Sequence, residues 1–229
     1  MDPRTVIVTG STSGIGEATA AKFLKNGDNV VVFSPLENDV KGATERLSDL
    51  GGNLLPLVGD VRDIRDIKHI VKTTMKEFGR IDVLINNAGI AIWKPIEEHT
   101  DKDFDLIMDV NVKGPWMFIR EVVPIMKDQA YGVVIQISSI RGEQGSMNYS
   151  VYSPSKFALI GLTQSLADEI QEGIRFYSVM PAGTHTPLHM GVHPWKDPDK
   201  LMTPEYLGGK IFNLAKGKKP SGFALKVYK

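Results

Sequence analysis

Residues 5–16 read Thr5-Val6-Ile7-Val8-Thr9-Gly10-Ser11-Thr12-Ser13-Gly14-Ile15-Gly16. The β-branched run predicts a short strand, and an apolar stripe that begins at Ala18 predicts a helix closed by Asn26-Gly27. Glycines between a strand and a helix allow a sharp turn and let the backbone approach a pyrophosphate, which the free N–H groups of the helix receive. Such turns also serve purely structural purposes, so this turn alone leaves both interpretations open.

The rest of the chain alternates between strand-like and helix-like segments. The predicted strands cover residues 30–33, 54–58, 82–85, 132–137, 174–180 and 223–227, and the predicted helices cover residues 39–50, 64–78, 105–126 and 152–170, with a further helix start at residues 203–205. The apolar residues of the predicted strands form continuous rather than alternating runs, which is typical of strands covered on both faces. We therefore expect an α/β fold with a single doubly wound parallel sheet of about seven strands, a Rossmann fold, in one domain over residues 1–229. We expect residues 188–201 to be irregular.

Composition and charge exclude several classes of function. The chain has 229 residues, of which 42% are hydrophobic, and Lys+Arg and Asp+Glu both total 27, so the formal net charge is zero. Without a positive field, neither a nucleic acid nor an anionic membrane surface is an expected partner. The sequence has no cysteine and no apolar run of the roughly 18 residues that a membrane helix needs, so we expect no disulfide, no membrane span and a cytoplasmic location.

A tyrosine and a lysine lie four positions apart in the stretch Tyr152-Ser153-Pro154-Ser155-Lys156. In a helix this spacing puts both side chains on one face, with their Cβ atoms about 5–6 Å apart. A free tyrosine has a pKa of about 10, and a neighbouring positive charge lowers that pKa, as general acid/base work near pH 7 requires. The same pair occurs by chance in many helices, so it does not establish catalysis alone.

Small and polar residues follow the carboxyl ends of the predicted strands. Besides residues 9–16, they are Asp60, Asn87, Ser139 and residues 181–186. Right-handed crossovers place these ends on one edge of a parallel sheet, where ligands bind in such folds. Asp60 can accept a hydrogen bond from an adenine amino group, although capping of the following helix explains it equally well. The hydroxyl of Ser139 can share a substrate oxygen with the phenol of Tyr152.

Asn111 lies inside the predicted helix 105–126, shortly before Gly114-Pro115. Asparagine favours caps and turns, and proline removes a hydrogen bond of the helix, so both are local misfits. Misfits of this kind tend to mark functional positions. The sequence therefore indicates Asn111 as a candidate functional residue.

Together these motifs resemble the short-chain dehydrogenase/reductase family in its non-extended form. The resemblance covers essentially the whole chain and rests on Thr9-Gly10-x-x-x-Gly14-Ile15-Gly16, Asp60-Val61, Asn86-Asn87-Ala88-Gly89, Asn111, Ser139, the Tyr152-x-x-x-Lys156 pair, and Pro181 with Thr186. It implies a nicotinamide-dependent oxidoreductase that interconverts a secondary alcohol and a ketone. Tyr152 would be the general acid/base, and Lys156 would lower its pKa and bind the nicotinamide ribose. Ser139 would orient the substrate, and Asn111 would hold a water that links Lys156 to solvent.

The resemblance also implies a binding site for each ligand. The expected cofactor-binding residues are Gly10, Ser11, Ser13, Gly14, Ile15, Gly16, Ser34, Asp60, Val61, Asn87, Ala88, Gly89, Tyr152, Lys156, Pro181, Gly183, Thr184 and Thr186. The expected substrate-binding residues are Ser139, Tyr152, Arg141, Asn148 and Tyr149. We expect no metal site, because His189 and His193 are followed by Pro194 and lack a third ligand.

The sequence leaves the substrate, a small alcohol or carbonyl compound, undecided between two chemical classes. The loops near the expected pocket, residues 92–94, 141–149 and 188–195, hold polar side chains that suit a sugar or polyol. They also hold Met, Leu and Trp side chains that suit an acyl or terpenoid chain. A non-catalytic, cofactor-sensing regulator or scaffold of the same fold is the alternative function. Such a protein has no need to keep all four candidate catalytic residues, and all four are present.

Three departures from the family pattern affect these expectations. Ala182 replaces the usual glycine after Pro181, although Gly183 follows. The segment between Thr186 and Thr203 is short, which suggests an open or small lid. The chain ends without the usual Asp-Gly-Gly, which leaves open the tetramer contact made there.

Cofactor choice depends on the end of the second strand, where an acid favours NAD and a base favours NADP. Ser34 falls at that position and is neutral, which favours NADP, but neither Pro35 nor Ser13 supplies a positive charge. Lys41 is the nearest cation downstream, and Glu37 is an acid that can reach the ribose if the turn folds inward. We expect use of both cofactors with a modest preference for NADP.

The predicted helical segments 105–126 and 157–170 are apolar over more than the roughly 100° stripe that a surface helix needs. Part of each segment is therefore expected to face another subunit. We expect a homodimer or a homotetramer.

Overall fold

The structure, a computed structural model, describes residues 2–171 and 173–229. Parallel strands in that part of the chain form one sheet, with β1 at Thr5–Thr9, β2 at Asn29–Ser34, β3 at Asn53–Val58, β4 at Val83–Asn86, β5 at Gly132–Ile137, β6 at Ile174–Pro181 and β7 at Ala224–Val227. Their order across the sheet is β3-β2-β1-β4-β5-β6-β7. The predicted doubly wound parallel sheet is confirmed, and the chain direction across the sheet reverses between β1 and β4.

Helices cover both faces of this sheet. They are α1 (Gly14–Leu24), α2 (Glu37–Leu47), α3 (Ile64–Phe78), α4 (Asp101–Met108), α5 (Gly114–Asp128), α6 (Tyr152–Glu169), α7 (Pro187–Val192) and α8 (Pro204–Leu214). Within the described residues, no helix combines the length and the apolar character that crossing a membrane requires.

Two apolar cores lie on opposite faces of the sheet. Val6 and Val8 pack with residues of α1 and α8 on one face, and Ile7 packs with residues of α3 and α5 on the other. Full burial of such a side chain contributes about 1.5–3 kcal/mol. Because successive residues of a strand point to opposite faces and both faces are covered, the three central residues of β1 are all apolar.

The expectation that residues 188–201 are irregular is wrong for their first part, which belongs to α7. Thr186 is the N-cap residue of this helix, and its Oγ1 accepts a hydrogen bond from the backbone N–H of His189 at 3.1 Å. Pro187 fits the first helical position, where its missing N–H has no partner to lose. A short helix therefore lies beside the carboxyl edge of the sheet.

Candidate active site

A cleft of about 1020 Å³ runs along the carboxyl edge of the sheet. It begins at the turn between β1 and α1, passes the ends of β2 and β3, and continues to the loops after β5 and β6. The strand order reverses between β1 and β4, so the connections that follow these two strands run in opposite directions across the sheet and leave a crevice between them. The cleft therefore lies at the edge where the sequence predicts the ligands.

The turn between β1 and α1 is shaped for the close approach of an anion. Gly10 and Gly14 have φ angles of +59° and +55°, a region that residues with side chains rarely adopt. A Cβ atom on Gly10 would lie 2.9 Å from the Cα of Ala88, so no side chain fits there. Ser13, the N-cap residue of α1, makes no side-chain cap bond within the described chain, which leaves the first N–H groups of the helix open to a ligand. The turn therefore fits a pyrophosphate.

Asn87 fastens this turn to the end of β4. Its Nδ2 donates hydrogen bonds to the carbonyl oxygens of Thr9 and Gly10, both at 2.9 Å. In return, Oγ1 of Thr9 accepts from the backbone N–H groups of Asn87 at 2.9 Å and Ala88 at 2.8 Å. These bonds satisfy polar groups that the turn would otherwise leave unpaired, and they fix its shape.

Charged side chains surround the part of the cleft near β2 and β3. The carboxylate of Asp60 accepts from the guanidinium of Arg62 at 2.6 Å, and this bond holds the pKa of Asp60 below its usual range. The following helix is capped instead by Asp63, whose Oδ1 accepts from the N–H of Arg65 at 2.8 Å. Asp60 therefore does not cap α3, and any adenine bond at its carboxylate would compete with Arg62.

Two residues in this part of the cleft are absent from the sequence-based expectation. Asp39 and Arg62 both line the cleft, whereas Glu37 and Lys41 do not. Asp39 lies in the first turn of α2, so only the direction of that helix could have shown which acid faces the ligand. Arg62 carried no signal in sequence beyond its position after the predicted Asp60-Val61 pair.

Tyr152 and Lys156 lie together at the start of α6, as their spacing predicts. Tyr152 is partly exposed to the cleft, and Lys156 is buried. The Nζ atom of Lys156 lies 5.7 Å from the centre of the Tyr152 ring and donates to the carbonyl oxygen of Ile137 at 2.9 Å. The lysine is thus held beneath the phenol by the end of β5.

The pKa values of this pair are dominated by burial. Burial raises the pKa of Tyr152 to about 12, while the side chain of Ser139 and the charge of Arg141 oppose the rise. Burial lowers the pKa of Lys156 to about 8. The expected lowering of the Tyr152 pKa by Lys156 is therefore outweighed, because desolvation of the phenol has the larger effect. The phenol carries its proton at neutral pH and is ready to donate it.

Ser138 and Ser139 connect the end of β5 to this pair. The hydroxyl of Ser138 donates to the carbonyl oxygen of Lys156 at 2.7 Å, which ties the strand to α6. The hydroxyl of Ser139 accepts from the N–H of Arg141 at 3.1 Å and lies on the cleft side. The structure therefore brings Ser139, Tyr152 and Lys156 together, and it adds Ser138, which the sequence reasoning did not single out.

Asn111 is buried behind the cleft wall, in a π-helical turn over Asp109–Lys113 that interrupts α4 and α5. Its Nδ2 donates to the carbonyl oxygen of Ile90 at 2.9 Å and to Oγ of Ser155 at 3.0 Å. The hydroxyl of Ser155 in turn donates to the carbonyl oxygen of Tyr152 at 2.6 Å. The local misfit at Asn111 thus corresponds to a π-turn, which often marks functional positions, and Asn111 fastens the loop after β4 to the first turn of α6.

Most of the predicted cofactor-binding residues line the cleft, but Ser11 and Gly16 do not. Ser11 is fully buried, and its hydroxyl accepts from the N–H of Phe33 at 3.0 Å. Among the predicted substrate-binding residues, Asn148 also lies outside the lining. It adopts a positive φ of 63°, and its carbonyl oxygen accepts from the N–H of Lys94 at 3.1 Å. Ser11 and Asn148 therefore fix nearby backbone rather than face the cleft, and Gly16 lets α1 pack on the turn, because a Cβ atom there would collide with the carbonyl oxygen of Gly10.

The residues around the cleft fit a nicotinamide dinucleotide. The open helix end and the glycine turn suit its pyrophosphate, and Gly89 lies where a Cβ atom would come 3.2 Å from Nζ of Lys156. A side chain at this position would thus crowd the lysine at the inner end of the cleft. The residues that would hold the cofactor are Gly10, Ser13, Gly14, Ile15, Asn87, Ala88, Gly89, Thr184 and Thr186.

Comparison with known proteins agrees with this geometry. The family model described as short chain dehydrogenase matches residues 4–197. The chain belongs to the short-chain dehydrogenase family. An uncharacterized oxidoreductase from Thermotoga maritima is 40% identical over 201 residues, which are 87% of this chain and 79% of that protein. This short-chain dehydrogenase is therefore an oxidoreductase that uses a nicotinamide cofactor.

Solved structures of other proteins show the same architecture. The crystal structure of levodione reductase matches with a TM-score of 0.91 and 26% identity, covering 98% of this chain and 95% of that one. The 3-ketoacyl-(acyl-carrier-protein) reductase from Brucella melitensis complexed with NADH matches with a TM-score of 0.90 and 26% identity, covering 98% and 96%. The similarity to these two proteins therefore covers the fold of nearly the whole chain.

Proposed function

We propose that this short-chain dehydrogenase interconverts a secondary alcohol and a ketone, with the phenol of Tyr152 as general acid/base. The observation that supports this most directly is that Tyr152, Ser139 and the buried Lys156 all line one end of the cleft, with Nζ of Lys156 5.7 Å from the centre of the Tyr152 ring. A bound nicotinamide cofactor supplies or accepts the hydride. The structural relatives named as a levodione reductase and a ketoacyl reductase act on carbonyl compounds, in line with this proposal.

In the direction of reduction, the phenol of Tyr152 donates its proton to the carbonyl oxygen of the substrate. The hydroxyl of Ser139 hydrogen-bonds to the same oxygen and fixes its position. The positive charge of Lys156 then stabilises the phenolate that remains, because its Nζ lies 5.7 Å from the centre of the ring. In oxidation the phenolate takes the proton of the alcohol. General acid/base help of this kind is typically worth about 10²–10⁴ in rate.

Asn111 holds the backbone near Tyr152 and Lys156 in place through buried hydrogen bonds. It fixes the carbonyl of Ile90 and, through Ser155, the first turn of the helix that carries Tyr152 and Lys156. We propose that Asn111 positions this turn and links Lys156 to solvent, as the family resemblance implies. Loss of its side chain would move the general acid rather than remove it.

We propose that both NAD and NADP are used, with a preference below about tenfold. The cation on which a preference for NADP rested, Lys41, lies outside the cleft lining. In its place the lining offers Asp39, which repels a 2′-phosphate, and Arg62, whose guanidinium is held by Asp60. Because these two charges have opposite effects on a 2′-phosphate, we expect little net preference between NAD and NADP.

We also propose that the protein is at least a homodimer through α4, α5 and α6. Large apolar side chains on these helices are exposed, with exposed fractions of 52% for Phe104, 46% for Trp116 and 43% for Phe157. Several large apolar side chains exposed on three helices are typical of a subunit interface. Burial against a second copy would remove them from water.

A carbonyl panel tests the proposed reaction. The protein is incubated with reduced cofactor and a range of ketones, and loss of cofactor absorbance is followed. We expect turnover of at least one ketone, and Ser139→Ala should reduce kcat by about 10²-fold because the substrate oxygen loses a donor. An absence of turnover across a broad panel of ketones and of the corresponding alcohols would refute the reaction.

A further inference from the structure

Aromatic rings line the end of the cleft that holds Tyr152. The ring of Tyr149 lies 4.9 Å from that of Tyr152, and its hydroxyl lies 2.6 Å from Nε2 of His193. The rings of Trp93 and Trp195 are 5.4 Å apart and lie 5.8 Å and 5.2 Å from the ring of His193. All five residues line the cleft. Their flat faces, beside the proposed general acid, suit a planar ring better than an open chain.

Two positive side chains face the same space. Arg141 and Lys196 line this end of the cleft, and neither forms an ion pair with a carboxylate of the described residues. Burial raises the pKa of Tyr149 and Tyr152, and the charge of Arg141 opposes both rises. Burial lowers the pKa of His193, and the charges of Lys196 and Arg141 lower it further. The charge of Arg141 is thus felt at three groups around the reacting position.

No acid balances these cations at this end. Among the described residues that line the cleft, the carboxylates are Asp39 and Asp60, and both lie at the opposite end, near β2 and β3. The acid closest in sequence to Arg141 is Glu143, which pairs with Lys226 at 2.6 Å and is not part of the lining. A half-buried guanidinium without a carboxylate partner is a ready site for a bidentate anion.

We propose that the substrate of this cleft carries a carboxylate or a similar anionic group on a flat ring, with the ring against the aromatic wall and the anion at Arg141. This inference rests on the proposed function, because it concerns the compound whose carbonyl meets Tyr152. Lys196, which is exposed at the rim, adds to the attraction without fixing the geometry. The cleft would therefore discriminate between an aromatic keto acid and its neutral amide.

Binding measured by calorimetry tests the inference without any reaction. Benzoate and benzamide have the same ring and nearly the same shape, and they differ in charge. With the protein saturated by oxidised cofactor, we expect benzoate to bind about tenfold more tightly than benzamide. Arg141→Gln should reduce this ratio to within about twofold, and Arg141→Lys should give an intermediate ratio because it keeps the charge without the planar fork. Lys218→Gln, which removes an equal charge from an exposed position outside the cleft, should keep the full ratio.

The matching ketones separate this inference from the proposed function. We expect 4-acetylbenzoate to show about tenfold higher kcat/KM than 4-acetylbenzamide, mostly through KM, and this ratio should fall in Arg141→Gln. Equal binding of benzoate and benzamide, or a preference that survives in Arg141→Gln, would overturn the inference even if ketones are turned over. A carboxylate preference in binding without turnover of any carbonyl compound would support the inference and refute the proposed reaction.

Discussion

Replacement of Lys156 by methionine should leave the protein at least as stable as the wild type at neutral pH. Methionine fills nearly the same volume without a charge. Because the pKa of Lys156 is about 8 in the folded chain and 10.5 as the ordinary value, the buried ammonium costs about 3 kcal/mol of folding free energy at pH 7. The variant loses the bond from Nζ to the carbonyl oxygen of Ile137, which costs about 1–3 kcal/mol when a buried acceptor is left unpaired. We expect Lys156→Met to be as stable as the wild type at pH 7, or more stable by up to about 2 kcal/mol.

The pH dependence distinguishes this effect from packing. The lysine pKa is lower in the folded state, so the unfolded chain binds more protons between about pH 8 and pH 10.5, and the penalty fades as the pH rises through that window. Between pH 7 and about pH 9.5, the stability difference between variant and wild type should therefore move by about 2 kcal/mol in favour of the wild type.

Urea unfolding of the two proteins at both pH values measures this shift. Other groups that titrate in the same range are present in both proteins and cancel in the difference. Lys218→Met, at an exposed position, serves as the control and should show no such shift. A difference between Lys156→Met and the wild type that stays constant from pH 7 to pH 9.5 would refute the account of a buried, destabilised ammonium.

Three further predictions follow from the cleft and the helix surface. Asp39→Asn should raise the ratio of kcat/KM for NADP over NAD by about fivefold, while Glu37→Gln, which lies outside the lining, should leave this ratio unchanged. A larger change in Glu37→Gln than in Asp39→Asn would show that Glu37 faces the ribose. Asn87→Ala should lower the free energy of unfolding by about 1–3 kcal/mol and weaken cofactor binding, because two carbonyls of the glycine turn lose their donor. An unchanged free energy of unfolding in urea would contradict this role of Asn87. Phe157→Glu should give a monomer mass in light scattering while Tyr228→Glu keeps the wild-type mass, and a wild-type monomer at micromolar concentration would refute the interface.

The sheet and the order of its elements could be predicted because the signals are local and repeated. Most strands centre on an apolar run long enough for one strand only, and the glycine turn after β1 marks a strand-to-helix connection that few folds use. The misfit at Asn111 also had a local signal, and it corresponds to the π-turn at Asp109–Lys113. These features need no knowledge of distant parts of the chain.

The details of the candidate site depend on what packs around it and could not be read from spacing. The spacing of Tyr152 and Lys156 placed them on one face, but their pKa values follow from burial, which β5 and the surrounding loops create. Glu37 and Asp39 both lie in the first turn of α2, and only the direction of this helix decides that Asp39 lines the cleft. Arg141 carried no distinguishing signal either, since its lack of a partner among the described residues is a property of the folded loop.

Turnover and cofactor binding by Tyr152→Phe together test most directly the claim that the Tyr152 phenol moves the proton. The substitution removes only the hydroxyl, and Tyr131→Phe provides a matched change outside the cleft. We predict that Tyr152→Phe lowers kcat by at least about 10²-fold on a ketone that the wild type reduces, while its Kd for reduced cofactor stays within a few-fold. Near-normal turnover in Tyr152→Phe would contradict the claim and would assign the proton transfer to another group.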